Sequence, residues 1–188
     1  MANSALKRQS KTLLATASAS GDQYIVFNNL TTDYCLYEIV CENIDFSGDN
    51  FYLARVYTDN GTTPISASGS YDWSGRVYGA TSTQTGQIDS TSSTLMMLFS
   101  NDTSGSAGGA GTNELLSGSL YVYDPMDSGE YTQITSDFSG AYSDGNHLYG
   151  KFGGRRLNAE ANNAIGLVPS TGVHTTGEFH LYGYKDAT

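Results

Sequence analysis

The sequence predicts an all-β fold, an antiparallel sandwich or barrel in a single domain, and three observations carry that expectation. Of 188 residues, 22 are Gly, 23 Ser and 20 Thr, while charged residues make up only 15%. That is a composition of short strands and many turns, not of helices. Fourteen Tyr and seven Phe supply aromatic core material that disordered chains lack. Short alternating apolar segments recur at a spacing of roughly 8–20 residues with turn residues between them, and no helical period of about 10–15 residues separates them.

Residues 23–27 form the first predicted strand and end at Asn28 and Asn29. Residues 34–43 form the next. In residues 51–58 the even-numbered face, Tyr52, Ala54 and Val56, is the more apolar apart from Thr58. Asp59-Asn60-Gly61 follows as a tight-turn signature that points to a hairpin. Residues 69–79 are aromatic but punctuated by glycine, residues 94–99 form a short buried strand, and residues 101–112 form a Ser/Gly-rich loop. Residues 115–123 place Leu116, Gly118, Leu120 and Val122 on one face and stop at Asp124-Pro125. Residues 131–138, 147–154 and 164–168 are further strands. Residues 178–184 close the chain, with Phe179, Leu181 and Gly183 facing one way and His180, Tyr182 and Tyr184 the other. The total is about nine or ten strands, and residues 157–164 are the one helical candidate, a turn or two long.

Net charge is −10, and its distribution is polarised. Lys7, Arg8 and Lys11 open the chain, whereas only Arg55 and Arg76 are basic between residues 12 and 150, against sixteen acids. The expected organisation is a basic arm over residues 1–18 and a sandwich domain over residues 19–188. The arm reads either as a tether that docks on an acidic partner surface or as a solvated terminus. The acidic body argues against a nucleic-acid partner. Residues 95–99 are the longest purely apolar run, against about 20 residues for a membrane span, so no membrane insertion is expected. Leu13 and Leu14 are followed at once by Ala-Thr-Ala-Ser, which is not the apolar core of a secretory signal.

Cys35 and Cys41 lie six residues apart in one predicted strand. Extended backbone separates them by about 20 Å, beyond the roughly 7 Å reach of a disulfide. Both are expected as small buried residues on the face of Tyr37 and Ile39.

Catalytic and metal motifs are weak. His147, His174 and His180 lack zinc-motif spacing, and no serine sits in a nucleophile elbow. Among 19 acids a suggestive carboxylate pair carries little weight, because glycosidase acids need no fixed spacing in sequence. Asp-rich turns at residues 45–50, 124–130 and 144–146 match no spaced calcium loop and read as turn chemistry. No cofactor is expected. Tyr71, Trp73 and Tyr78 are candidate contacts to a sugar or a protein, with Trp73 as a lid over the core the alternative. Arg155 and Arg156 pair either with acids of another copy or with acids of their own chain.

Residues 176–185, Thr-Gly-Glu-Phe-His-Leu-Tyr-Gly-Tyr-Lys, and residues 117–125, Ser-Gly-Ser-Leu-Tyr-Val-Tyr-Asp-Pro, resemble elements of small β proteins from tailed bacteriophages. In those proteins a Gly-x-x-x-Leu-Tyr-Gly strand closes the chain, and a strand ending in Asn/Asp-Pro precedes a turn. Ala19-Ser20-Gly21 and the Tyr-containing strand at residues 34–44 resemble them too, so the likeness spans about residues 18–185. The resemblance implies a jelly-roll sandwich on the virion exterior with no catalytic residue to carry over. The expectation is a non-enzymatic head decoration (cement) protein, a homotrimer bound to the major capsid protein or other virion proteins. Lys7, Arg8, Lys11, Arg155 and Arg156 would be its docking residues. The alternatives are a tail-fibre tip contacting host surface glycan or protein through Tyr71, Trp73 and Tyr78, and a glycan-active enzyme on the same scaffold.

Overall fold

A strand with apolar side chains at every second position must bury one face, and two sheets that do so can bury them only against each other. The structure, a computed structural model, describes residues 10–48, 50–79, 86–100, 114–141 and 147–185. Lys7, Arg8 and the predicted loop at residues 101–112 lie outside the described residues. Among the described residues the chain forms β1 (Lys11–Ser18), β2 (Ile25–Phe27), β3 (Leu36–Phe46), β4 (Tyr52–Tyr57), β5 (Tyr71–Gly79) and β6 (Gly86–Ser93). It continues as β7 (Met96–Phe99), β8 (Leu116–Tyr123), β9 (Gln133–Ala141), β10 (His147–Arg156), β11 (Ala164–Pro169) and β12 (His174–Tyr184).

These strands make an eight-stranded sheet, in the order β1-β12-β3-β8-β9-β10-β5-β6, and a four-stranded sheet, β2-β11-β4-β7. Every pairing is antiparallel. The strands nest: β1 pairs with β12, β2 with β11, β3 with β8 and β4 with β7. The chain is thus one long ribbon doubled back on itself, and the β12–β3 and β11–β4 pairings roll that ribbon up. This is the jelly-roll arrangement of two face-to-face sheets. Two inserted hairpins, β5–β6 and β9–β10, pair with each other and with β8, and they widen one sheet from four strands to eight.

Between the sheets lie Ile39, Ile44, Phe46, Tyr52, Val56, Leu98, Phe99, Leu120, Phe138, Leu148, Leu167 and Phe179, all essentially without exposed surface. The ring of Tyr52 on β4 reaches Phe138 and His174 of the facing sheet at 5.4 and 5.7 Å. Tyr71 on β5 crosses in the other direction. Its hydroxyl accepts the Val56 N–H at 3.1 Å and donates to the Ile65 carbonyl at 3.0 Å, and burial pushes its pKa up to about 12.

The all-β sandwich is as expected, with four corrections in detail. There are twelve strands among the described residues, not nine or ten, because β1 and β6 escape the apolar pattern. Both are edge strands of the large sheet, rich in Ser and Thr, and bury little. Residues 11–18 are therefore not part of an arm but a strand bonded to β12. Asn60 and Gly61 do adopt positive φ, yet β4 forms no hairpin with the next strand, since its neighbours are β11 and β7. Residues 157–163 are irregular instead of helical, pinned by Asn162 N–H to the Pro125 carbonyl at 2.6 Å and Asn163 N–H to the Tyr57 carbonyl at 2.8 Å.

The two cysteines form no disulfide; Cys41 is buried, with its thiol pKa driven up by burial, whereas Cys35 precedes β3 and is only half-buried.

Close approach of the neighbouring strand β5 and of Met96 on the facing sheet explains Gly154. A Cβ there would lie 2.3 Å from the Asp72 carbonyl oxygen and 2.6 Å from Met96 Sδ. Gly154→Ala is expected to lower stability by about 1–3 kcal/mol, as overpacking does, read as a lower urea midpoint with an unchanged slope. An unchanged midpoint would contradict this packing.

Candidate functional site

The same alternation that fills the core sets the opposite face of the eight-stranded sheet toward solvent. Because the strands from edge β1 to edge β6 are paired side by side, with register shifts at a few points, residues far apart in sequence fall into rows. One row runs Lys11, Tyr184, Leu36, Tyr123, Gln133, Arg155, Asp72. Another runs Leu13, Tyr182, Glu38, Tyr121, Thr135, Gly153, Ser74. A third contains Asp137, Lys151 and Arg76, and a fourth Ser139, Tyr149 and Tyr78. The face is therefore tyrosine-rich with charges interspersed, and no described part of the chain packs on it as a third layer.

Glu38 is the most buried charged group here, at 6% exposure. Lys11 Nζ lies 2.7 Å from its Oε2, Tyr121 donates its hydroxyl to Oε1 at 3.1 Å, and Tyr184 donates to Oε2. Lys11 also sits 4.0 Å from the Tyr182 ring centroid. Burial by itself raises the Glu38 pKa, but the hydrogen bonds from Lys11 and Tyr184, the Lys11 charge and the Tyr121 hydroxyl outweigh it and leave the carboxyl below its ordinary value. The cluster ties edge strand β1 to β12, β3 and β8. A single carboxylate thus does for β1 what an apolar stripe does elsewhere.

Of the predicted docking cations, the three among the described residues, Lys11, Arg155 and Arg156, are engaged within their own chain. Lys11 holds Glu38. Arg155 donates from Nε and Nη2 to Asp72 at 2.9–3.1 Å and lies over Tyr131 at 5.1 Å. Arg156 pairs with Glu160 at 2.8 Å, donates to the Ser70 carbonyl at 2.9 Å and lies over Tyr71 at 5.9 Å. Arg155 and Arg156 each pair with an acid of their own chain.

β5 and β10 pair so that Arg155 faces Asp72, Arg156 faces Tyr71 and Gly154 faces Trp73. Two predicted groups more than 80 residues apart in sequence therefore meet at one end of the two strands. Lys11 is five strand spacings away, about 24 Å, so the cations do not form one patch.

The three candidate aromatic contacts separate. Tyr71 is fully buried and bonded, which removes it from any surface role. Trp73 faces inward, tilted against Phe152 at 6.3 Å. With Phe51, Ile88 and Met97 it lines a cleft of about 310 Å³ whose other wall residues are Gln87, Asp89 and Ser100. Tyr78 is 47% exposed and stacks on Tyr149 at 6.1 Å and 30°. Tyr149 was legible as outward-facing from the alternation of Leu148, Gly150 and Phe152. Its partnership with Tyr78 was not, because it depends on the register of two distant strands.

The acids of the Asp-rich turns serve the turns: Asp45 Oδ1 accepts the Phe46 N–H and Asp127 Oδ1 the Gly129 N–H, both within 2.9 Å. Residues 144–146 lie outside the described residues. Among the described residues, no three His, Cys, Asp or Glu side chains gather closely enough to hold a metal ion.

His174 lies inside the sandwich, ringed by Phe46, Tyr52 and Phe179 at 5.6–5.7 Å. Its Nδ1–H donates to the Asp22 carbonyl at 2.9 Å, and Nε2 has no partner among the described residues. Burial lowers its pKa, against the opposing pull of the Asp22 carbonyl.

No protein-family model matches the chain, and no curated protein matches it. Among solved structures, a structural-genomics protein of unknown function from Bacteroides ovatus is 9% identical over 81% of this chain and 89% of its own, with a TM-score of 0.28. An aerolysin-like protein of Bombina maxima is 11% identical over 79% of this chain and 82% of its own, with a TM-score of 0.16. Likeness at these scores carries neither fold nor function across.

His174 and Glu38 both have folded-state pKa values below their ordinary ones. The unfolded chain therefore binds protons that the fold does not, and stability falls as pH falls. The loss is expected to begin below about pH 6.5, the ordinary imidazole value, through His174, and to resume below about pH 4.3 through Glu38. Urea midpoints measured from pH 7.5 to 3.5 check this. His174→Asn should flatten the upper step and Glu38→Gln the lower one; a variant that keeps its step contradicts the assignment.

Proposed function

We propose that this protein is a non-enzymatic structural component of a bacteriophage particle, a head decoration protein that binds the outer capsid surface and stabilises it. The observation that carries the reading is the enlarged jelly roll: two inserted hairpins spread one sheet to eight strands and give it a broad, polar and aromatic outer face. A wide rigid face built from fixed strands suits a module displayed on the outside of a particle better than it suits a recessed reaction centre. The resemblance of residues 117–125 and 176–185 to phage β proteins points the same way.

In this reading the body bridges capsid subunits, as a homotrimer, and the major capsid protein is its partner. Lys11, Arg155 and Arg156 hold acids of their own chain, so the anchoring charges are Lys7 and Arg8, ahead of β1. A second reading, a tail-tip protein that touches host surface glycan, is favoured by one observation, the exposed Tyr78 stacked on Tyr149.

Quantitative mass spectrometry of purified particles separates the two. The decoration reading predicts a copy number on the scale of the major capsid protein, falling when Lys7 and Arg8 are both changed to Ala while the protein remains folded. A copy number on the scale of tail proteins favours the tail tip, and absence from particles rejects both.

A further inference from the structure

Tyr149 and Tyr78 stand directly opposite each other on β10 and β5, with Tyr78 nearly half exposed. Their rings are held in place from beneath and beside. The Tyr149 hydroxyl donates to Asp137 Oδ2 at 3.1 Å, and Lys151 Nζ lies 3.2 Å from the same oxygen. On the other flank of Tyr149, Ser139 Oγ and His147 Nε2 are 2.8 Å apart. The result is a stacked pair of tyrosines on the sheet, edged by hydrogen-bonding groups, with Lys151 Nζ also 5.8 Å from the centre of the Tyr149 ring.

Arg76 completes the arrangement. It faces Lys151 across the β5–β10 pairing, its guanidinium lies 5.6 Å from the centre of the Tyr78 ring, and among the described residues it makes no ion pair. In a chain of net charge −10 an exposed arginine finds carboxylates readily, as Arg155 and Arg156 do. Lys151 and the Tyr149 hydroxyl take up Asp137, and Asp89 lies one row away on β6 without an ion pair to Arg76 among the described residues, so the Arg76 guanidinium is open to an incoming carboxylate. A guanidinium fork matches a carboxylate in two parallel hydrogen bonds, and an aromatic face takes a flat patch of C–H groups.

The geometry points to an acidic saccharide as the ligand of this face, a pyranose bearing a carboxylate. We propose that the sugar's C–H face packs against the exposed Tyr78 ring, which Tyr149 holds in place, while its carboxylate meets Arg76. This goes beyond particle membership and is decided on the purified protein, so either conclusion can fail alone.

The test is calorimetric titration of the full chain with a glucuronic-acid oligosaccharide, beside a neutral glucose oligomer of equal length and a sulfated dextran. Saturable binding of the uronate is expected, weaker by about tenfold in Tyr78→Ala and in Arg76→Gln, the loss produced by removing one stacked ring or one charged hydrogen-bond donor. Both side chains are exposed, so unchanged unfolding midpoints are expected; if Tyr78→Ala does not fold, Arg76→Gln decides. Three results overturn the proposal: no saturable uronate binding, neutral oligomer binding as tight as uronate, or uronate binding that matches sulfated dextran and survives Tyr78→Ala.

Discussion

Tyr52 sets its ring edge-on to Phe138 at 5.4 Å and to His174 at 5.7 Å, and tilts it against Phe46 at 5.6 Å. One fully buried side chain of the four-stranded sheet thereby touches β9, β12 and β3 of the facing sheet at once. Each aromatic pair adds about 0.5–1.5 kcal/mol beyond burial of area, and removal of such a ring from a core costs about 3–5 kcal/mol. A narrow sheet must here hold a sheet twice as wide in strand number, so the few side chains that span the gap carry a large share of the packing. Tyr71 repeats the arrangement from the opposite sheet with two hydrogen bonds to the segment around β4.

With the inner face committed to that contact, the outer face of the large sheet is the part of the molecule open to other use. Its charges are largely consumed locally: Lys11 by Glu38, Lys151 by Asp137, Arg155 by Asp72. These pairs are mostly exposed and individually worth little, yet they fix long side chains into a pattern. Among the described residues Arg76, beside the Tyr78–Tyr149 stack, makes no ion pair. The edge strand β1 follows the same logic. It buries few apolar groups and is secured at the edge of the sheet by the Glu38 cluster.

Strands with large alternating side chains were legible in the sequence. The inward set Leu116, Leu120, Val122 on β8 and Phe179, Leu181 on β12 follows directly from a period of two, and both sets are buried. β1 and β6 were not legible because an edge strand meets neighbours on one side only, which lets Ser, Thr and Ala replace the apolar signal. The candidate site was legible only in its parts. Arg155, Arg156, Tyr71, Trp73 and Tyr78 each stand out in the sequence, but their roles come from cross-strand register, which is non-local. Tyr71 looks like a surface aromatic among glycines and serines; it becomes a core residue because β5 pairs with β10 under β7. Glu38 gives no signal at all in a chain with 19 acids, since only the pairing of β3 with β8 and β12 brings Tyr121 and Tyr184 to it.

The central claim is that a widened jelly roll works as an external surface module with the outer face of its large sheet free for contacts. Electron cryo-microscopy of intact particles addresses it most directly. The account predicts density for the twelve-stranded body outside the shell, with the face that bears Tyr78 and Tyr149 turned to solvent. Density inside the shell, or that face buried against the shell, would contradict it.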